Sequence, residues 1–291
     1  MKFAETLKEL RKQAGYSQEQ LAEKIGVSRQ AITKWETDTG LPDIENLMII
    51  ATLFSISLDE LLMDEKTAYT VSDYTYESVT EYDISKPMHF DIDAPGSLEV
   101  HVGTADSEKL RIRLASNSLK NLASDYKVKL DENRNSLDVR IEKTGALSEA
   151  LGKEALIIEI TVPAALTNEV ELTAITDILN ISSLSSPLDV SGKVNVVNLL
   201  SVTEAVAFDL DTDLTINADT LPSSLEINQI NATSTLHIPH NERYFTKIKG
   251  RSNNILYTLN GQKHDPEPDA DATKRIELAG LNAELTIDAQ M

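Results

Sequence analysis

Residues 17–36 read SQEQLAEKIGVSRQAITKWE, and this stretch predicts two short helices joined by a tight turn. Ser17 is placed to cap the first helix, because Gln20 three residues later completes a capping box. Gly26 is expected to end that helix, and Ser28 to cap the second. Val27 is expected to fill the turn. The apolar residues of the two helices recur at helical spacing and form one buried face, which consists of Leu21, Ala22, Ile25, Ala31, Ile32 and Trp35.

The second helix carries polar side chains on the face opposite to that core. Four of them can hydrogen-bond to base edges or phosphates, namely Arg29, Gln30, Thr33 and Lys34. A short capped helix that exposes such side chains, held by a second helix across a glycine turn, suits the major groove of B-DNA. The stretch therefore predicts a surface that binds double-stranded DNA.

This arrangement of caps, turn glycine and apolar face resembles the helix-turn-helix of the Cro/C1-type (XRE) family of bacterial and phage regulators. The resemblance covers roughly Met1–Met63 and implies a domain of five helices. It implies that the second helix contacts bases or nearby phosphates and that the residue opening the first helix contacts phosphate. The DNA-binding residues assigned in this way are Gln18, Ser28, Arg29, Gln30, Thr33 and Lys34.

Three further helices complete the expected N-terminal domain. One spans roughly Lys2–Ala14, one is capped by Asp43, and one begins with the capping box at Ser57 and ends at Leu62. The loop after the second helix of the motif contains Asp38, where the family often has a basic or Asn-Gly segment. The resemblance therefore implies a modest affinity for DNA.

Composition is compatible with a DNA-binding regulator once the charge is divided along the chain. The whole chain of 291 residues has a net charge of −20, but Met1–Trp35 carries seven basic and four acidic residues. Phosphate contact depends on charges within about 8–10 Å, so the local charge balance matters most.

The chain contains no cysteine, which excludes disulfides and thiolate metal sites. The apolar run Leu47–Phe54 is too short to span a bilayer, and a cytoplasmic location is expected.

The C-terminal part of the chain has the pattern of short β-strands. Residues 64–83 are polar and acidic and are interpreted as a linker that becomes an edge strand. Alternating apolar and polar residues then recur over 84–288, for example at Leu137–Ile141, Ile158–Val162 and Leu285–Ile287. We predict an all-β repeat domain here, either a β-solenoid or a sandwich, so that the chain combines α and β domains. This region resembles the bacterial adhesin-like β-strand-repeat domain, whose function is not established.

Two segments interrupt the strand pattern, and two groups of residues are candidate metal ligands. Thr144–Ala155 is interpreted as a short helix or loop, and Gln262–Thr273 as a mobile acidic excursion. Asp209, Asp211 and Asp213 alternate as if on one strand face, but the calcium-loop glycine and glutamate are missing, which favours a solvated acidic face. His237 and His240 flank a proline, which favours a structural histidine beside a turn over a metal ligand.

The sequence favours a transcriptional regulator, most simply a repressor that acts as a homodimer, with the β domain serving oligomerisation or signal input. No catalytic constellation, metal site or cofactor is expected. Two alternatives stay open. The chain can be an interaction or scaffold protein whose helical domain docks a protein partner. It can also be a self-cleaving repressor, although the serines lie in polar turns without the expected signature.

Overall fold

The computed structural model describes residues 2–14, 16–37, 40, 42, 44–54, 74–145, 148–264 and 271–290. The chain divides into two compact units, residues 1–70 and 71–291. The first is helical and the second is built of strands, so the predicted combination of an N-terminal helical domain with a C-terminal β-rich domain is confirmed.

The described part of the N-terminal unit contains four helices. They are α1 (Lys2–Gln13), α2 (Gln18–Ile25), α3 (Arg29–Glu36) and α4 (Ile44–Phe54). Their apolar faces enclose one core of Phe3, Leu7, Leu21, Ala22, Ile25, Ile32, Trp35 and Ile50. The predicted cap at Asp43, the loop residue Asp38 and the fifth helix from Ser57 lie outside the described residues.

The β unit contains eighteen strands in the part of the chain that the structure describes. Their bounds are β1 Tyr76–Asp83, β2 Met88–Asp93, β3 Ser97–Ala105, β4 Lys109–Ser116, β5 Tyr126–Glu132, β6 Ser136–Lys143, β7 Ile157–Pro163, β8 Thr167–Ser182, β9 Leu188–Leu200, β10 Val206–Asp209, β11 Thr215–Ala218, β12 Ser224–Ile230, β13 Thr233–Pro239, β14 Tyr244–Ile248, β15 Asn254–Leu259, β16 Gln262–Lys263, β17 Lys274–Leu281 and β18 Glu284–Gln290.

Most of these strands pair in parallel, in two ladders that share the long strands β8 and β9. One ladder runs β5-β6-β2-β8-β9-β10-β12-β17-β14. The other runs β1-β4-β7-β3-β8-β9-β11-β13-β18-β15-β16. Most strands alternate apolar residues toward one continuous core with polar residues outward.

Paired residues are separated by a nearly constant interval in the middle of the unit. Val170 pairs with Leu188, and Leu188 with Val206, at steps of 18 residues. Ile216 and Leu236 pair at a step of 20. Leu225 and Leu236 have the same strand pattern and are eleven residues apart in the sequence, but they do not pair with each other, because they belong to different ladders.

The last two strands are inserted between earlier ones. Ile287 of β18 pairs with Leu236 of β13 on one side and with Tyr257 of β15 on the other. Strand β17 lies in the same way between β12 and β14. Each of the two C-terminal strands is thus an interior strand of one ladder.

Two short helices cross the β unit at its connections. They are α5 (Leu122–Asp125) and α6 (Glu149–Ala155). Helix α6 resolves the alternative left open for Thr144–Ala155 in favour of a helix, whose cap Ser148 accepts a hydrogen bond from the Leu151 N–H at 3.3 Å. Of the predicted excursion Gln262–Thr273, residues 265–270 lie outside the described part of the chain.

Candidate nucleic-acid interface

Helices α2 and α3 have the caps and the turn that the sequence predicts. Ser17 Oγ accepts the Gln20 N–H at 3.2 Å, while the Gln20 side chain accepts the Ser17 N–H at 2.8 Å. Gly26 ends α2 in the left-handed conformation, with φ of +86°. Ser28 caps α3 by accepting the Ala31 N–H at 3.2 Å. These contacts fix the angle between the two helices through backbone geometry.

The buried face of α3 holds Ile32 and Trp35 in the core, as predicted. Ser28, Arg29, Gln30, Thr33 and Lys34 are all exposed. Four of them belong to the solvent-exposed side of α3, and Ser28 is its cap, so together they form the exposed surface of this short helix. Their side chains carry hydrogen-bonding groups of the kind that contact base edges and phosphates.

Behind this surface lies a buried ion pair between α1 and the end of α3. Arg11 Nε donates to Glu36 Oε1 at 2.5 Å and Arg11 Nη2 donates to Glu36 Oε2 at 3.0 Å. The Glu36 side chain is only 3% exposed. Arg11 Nη1 also donates to the carbonyl of Tyr16, so the guanidinium joins α1, the start of α2 and the end of α3.

Gln18 is held by the same network. Its Nε2 donates to Glu36 Oε2 at 2.9 Å, and its Oε1 accepts from the Thr33 hydroxyl at 3.3 Å. Thr33 also donates to the Arg29 carbonyl at 3.0 Å. Of the predicted DNA-binding residues, Gln18 and Thr33 are therefore in direct contact, while Gln18 is partly buried.

Glu36 stays ionised in this environment. Burial acts to raise the pKa of its carboxyl, but hydrogen bonds from Arg11 and Gln18, with the charge of Arg11, lower it overall. Sequence reasoning missed this role of Glu36. The sequence places Arg11 near the end of α1, where a cation suits the helix dipole, but no local pattern links it to a residue 25 positions away.

The Asp and His groups of the β unit make protein contacts. Asp209 is the only one of its group in a strand, so the predicted common strand face is wrong. Asp211 and Asp213 follow the strand and accept the N–H groups of Ile230 and Thr233 at 2.9 and 2.8 Å. His237 Nδ1 lies 3.1 Å from Asp288 Oδ2. Among the described residues, no group of three or more His, Asp or Glu is arranged to hold a metal ion.

Within the same described ranges, none of the helices has the length and apolar character needed to cross a membrane.

Known proteins similar to this chain match its N-terminal unit. Residues 7–61 match the model of the helix-turn-helix family. The chain is 48% identical over 66 residues to the HTH-type transcriptional activator BcrR of Enterococcus faecalis, which is 23% of this chain and 32% of that protein. It is 44% identical over 61 residues to the cryptic phage CTXphi transcriptional repressor RstR of Vibrio cholerae, or 21% of this chain and 54% of the repressor. The chain thus spans about a third to a half of the length of these relatives.

Among the solved structures that are similar to this chain, two are described as candidate adhesion proteins. One from Clostridium sporogenes, described as a candidate cell adhesion protein, is 11% identical with a TM-score of 0.41 and covers 74% of this chain and 99% of its own. Another from Bacteroides fragilis is 12% identical with a TM-score of 0.30, covering 75% and 98%. The matched model and the geometry of α2 and α3 agree that these two helices form a helix-turn-helix, similar to that of the XRE family.

Proposed function

We propose that this protein is a sequence-specific transcriptional regulator that binds operator DNA through α3. The observation that carries the proposal is the capped helix α3, which places Arg29, Gln30, Thr33 and Lys34 on one exposed surface. In this proposal Arg29 and Gln30 read base edges, and Ser28 and Lys34 contact bases or adjacent phosphates. Gln18 uses the amide hydrogen that does not bind Glu36 to hold a phosphate.

The proposed mode of action is repression by occupying DNA that polymerase needs. The named relatives include both an activator and a repressor, so the helix-turn-helix alone does not determine the direction of regulation. A domain of this size covers little DNA, and we propose that two copies bind half-sites about 34 Å apart. The protein is proposed to act in the cytoplasm, without enzymatic activity.

We propose that the DNA-binding domain comprises residues 1–63, the connection residues 64–83 and the β domain residues 84–288. The parallel register at steps of 18 residues supports a β-solenoid over a sandwich, because sandwiches pair their strands mainly antiparallel. The β domain is proposed to bring copies of the chain together.

Arg29→Ala tests the base contact. We expect it to weaken binding of the preferred operator by about 1–3 kcal/mol and to relax the preference at one base pair. Fluorescence anisotropy against duplexes varied one position at a time measures both effects. Glu19 provides the matched control, because its carboxylate lies 3.9 Å from Arg29 and both side chains are exposed. Glu19→Ala should leave the preference intact, and an unchanged preference in Arg29→Ala would remove Arg29 from the base-reading set.

A further inference from the structure

Four strands in the described part of the chain pair with a single neighbour and so have an open edge, namely β1, β5, β14 and β16; β1 and β14 lie at opposite ends of the β unit. Within the described ranges, β1 pairs only with β4, and β14 pairs only with β17. Each therefore presents backbone N–H and C=O groups that another strand can pair with. Strand β1 ends one ladder and β14 ends the other, and the shared strands β8 and β9 lie between them.

The two edges carry opposite charge beside exposed apolar side chains, which are Val79 on β1 and Phe245 and Ile248 on β14. The outward residues of β1 are Glu77, Val79, Glu81 and Asp83, and Val79 is 41% exposed. The outward residues along β14 and its flanks are Arg243, Phe245, Lys247 and Lys249, and Phe245 is 43% exposed. The basic end stands out in a chain whose net charge is −20.

The charges on these edges have partners within the chain yet remain accessible. Glu81 lies 2.9 Å from Lys109 and is 45% exposed. Lys247 lies 3.6 Å from the buried carboxylate of Glu277 and is 50% exposed. Each side chain can therefore take a second partner of opposite charge on its outer side.

Charges on edge strands usually prevent pairing with other strands. Here they disfavour pairing between two copies of the same edge, because like charges would meet. Two β14 edges would bring lysines together, and two β1 edges would bring carboxylates together. A β1 edge beside a β14 edge instead opposes Val79 to Phe245 and Glu81 to Lys247 when the strands run parallel. Antiparallel pairing through Val79 and Phe245 also sets acidic residues of β1 opposite basic residues of β14.

We propose that the β14 edge of one copy of this chain pairs with the β1 edge of a second copy. The proposal rests on the proposed role of the β domain in bringing copies together, and it names the surfaces. Because the two surfaces differ, the contact is heterologous and repeats head to tail, closing into a ring or extending with concentration. The attraction between unlike charges weakens as salt screens them.

Two charge-altered variants of the full chain test the pairing by sedimentation velocity. Phe245→Glu with Lys247→Glu removes the net positive charge of the β14 edge, because two carboxylates then stand between Arg243 and Lys249, and it leaves Lys249 beside Glu277. Glu81→Lys with Asp83→Lys makes both edges basic. We expect each variant alone to associate at least about tenfold more weakly than wild type. Mixing the two should restore association, because the unaltered acidic β1 edge of the first variant then meets the unaltered basic β14 edge of the second. Lys153→Glu with Lys193→Glu is the control and should behave as wild type.

The outcomes separate this inference from the proposal on which it rests. If both variants associate like wild type, self-association uses another surface and only the β1–β14 pairing is overturned. If each variant is weak but the mixture stays dissociated, the pairing is also overturned. A wild type that is monomeric up to about 100 µM would overturn self-association as well. Circular dichroism checks that each variant is folded. The affinity of each variant for DNA that carries a single half-site measures DNA recognition independently of self-association.

Discussion

Replacing Glu36 with alanine is expected to lower the free energy of unfolding of the N-terminal unit by about 3–5 kcal/mol. The substitution removes the carboxylate that pairs with Arg11 and leaves a largely buried guanidinium, 12% exposed, without its counter-charge. It also removes the acceptor for Gln18 Nε2, so the side chain proposed to hold a phosphate loses its position. Stability and DNA affinity should therefore both fall.

Trp35 makes this measurement specific to the helical unit in the full-length protein. It is the single tryptophan of the chain and is buried in the core of the N-terminal unit. Urea unfolding followed by its fluorescence reports this unit alone. Glu19→Ala removes an exposed carboxylate of α2 and should change stability by less than about 0.5 kcal/mol. Equal midpoints for the two variants would contradict the structural role of the Arg11–Glu36 pair.

The lowered pKa of Glu36 gives the same contact a defined pH dependence. The folded carboxyl titrates below its ordinary value of 4.5, so the unfolded chain binds the proton more tightly. The contribution is complete above that value and is lost as the pH falls through the folded pKa. The urea midpoint followed by Trp35 fluorescence should therefore fall at acidic pH, and Glu36→Gln should make this fall smaller.

Gly192→Ala is expected to destabilise the β unit by about 3–5 kcal/mol. Gly192 has φ of +114°, where side chains other than hydrogen are strained. A Cβ at this position would also collide with the carbonyl oxygen of Ala174, its register partner on β8. The site lies within β9, where the strand passes from one ladder to the other, so the backbone has little room to shift. Loss of the far-UV strand signal in urea measures the effect.

Gly261 offers the matched control for that substitution. It also has positive φ, +74°, but an added Cβ would meet no atom within 4 Å. Gly261→Ala should therefore cost only the backbone strain, about 1–2 kcal/mol. If the two alanine variants lost equal stability, the close approach of β8 and β9 at Gly192 would not be a determinant of the fold.

Local patterns in the sequence were sufficient for the helix-turn-helix. Ser17, Gln20, Gly26 and Ser28 act within a few residues of their partners, so their roles follow from spacing alone. Trp35 was assigned to the core because it shares a face with Ile32, and it is buried there. The outward face of α3 followed from the same periodicity.

Contacts between distant residues were beyond that kind of reasoning. The Arg11–Glu36 pair joins residues 25 positions apart, and no local pattern encodes it. Alternation identified strands in the β unit but not their partners, because every strand carries the same apolar face. The insertion of β18 between β13 and β15 depends on pairings such as Leu236 with Ile287, which only the folded chain brings together. The alternation of Asp211 and Asp213 suggests a strand for a related reason. Their structural role depends on distant residues, because they accept the backbone N–H groups of Ile230 and Thr233.

Sequence-specific binding of DNA by α3 is tested most directly by selection of duplex DNA and by the dependence of its binding on salt. The full-length protein would be presented with a random pool of duplex DNA, and the enriched sequences measured by fluorescence anisotropy over a range of salt. We predict enrichment of a shared motif, saturable binding, and an affinity whose logarithm falls linearly with the logarithm of salt concentration. Failure to enrich any motif, together with no salt-dependent binding to duplex DNA, would contradict the account and favour a helical domain that docks a protein.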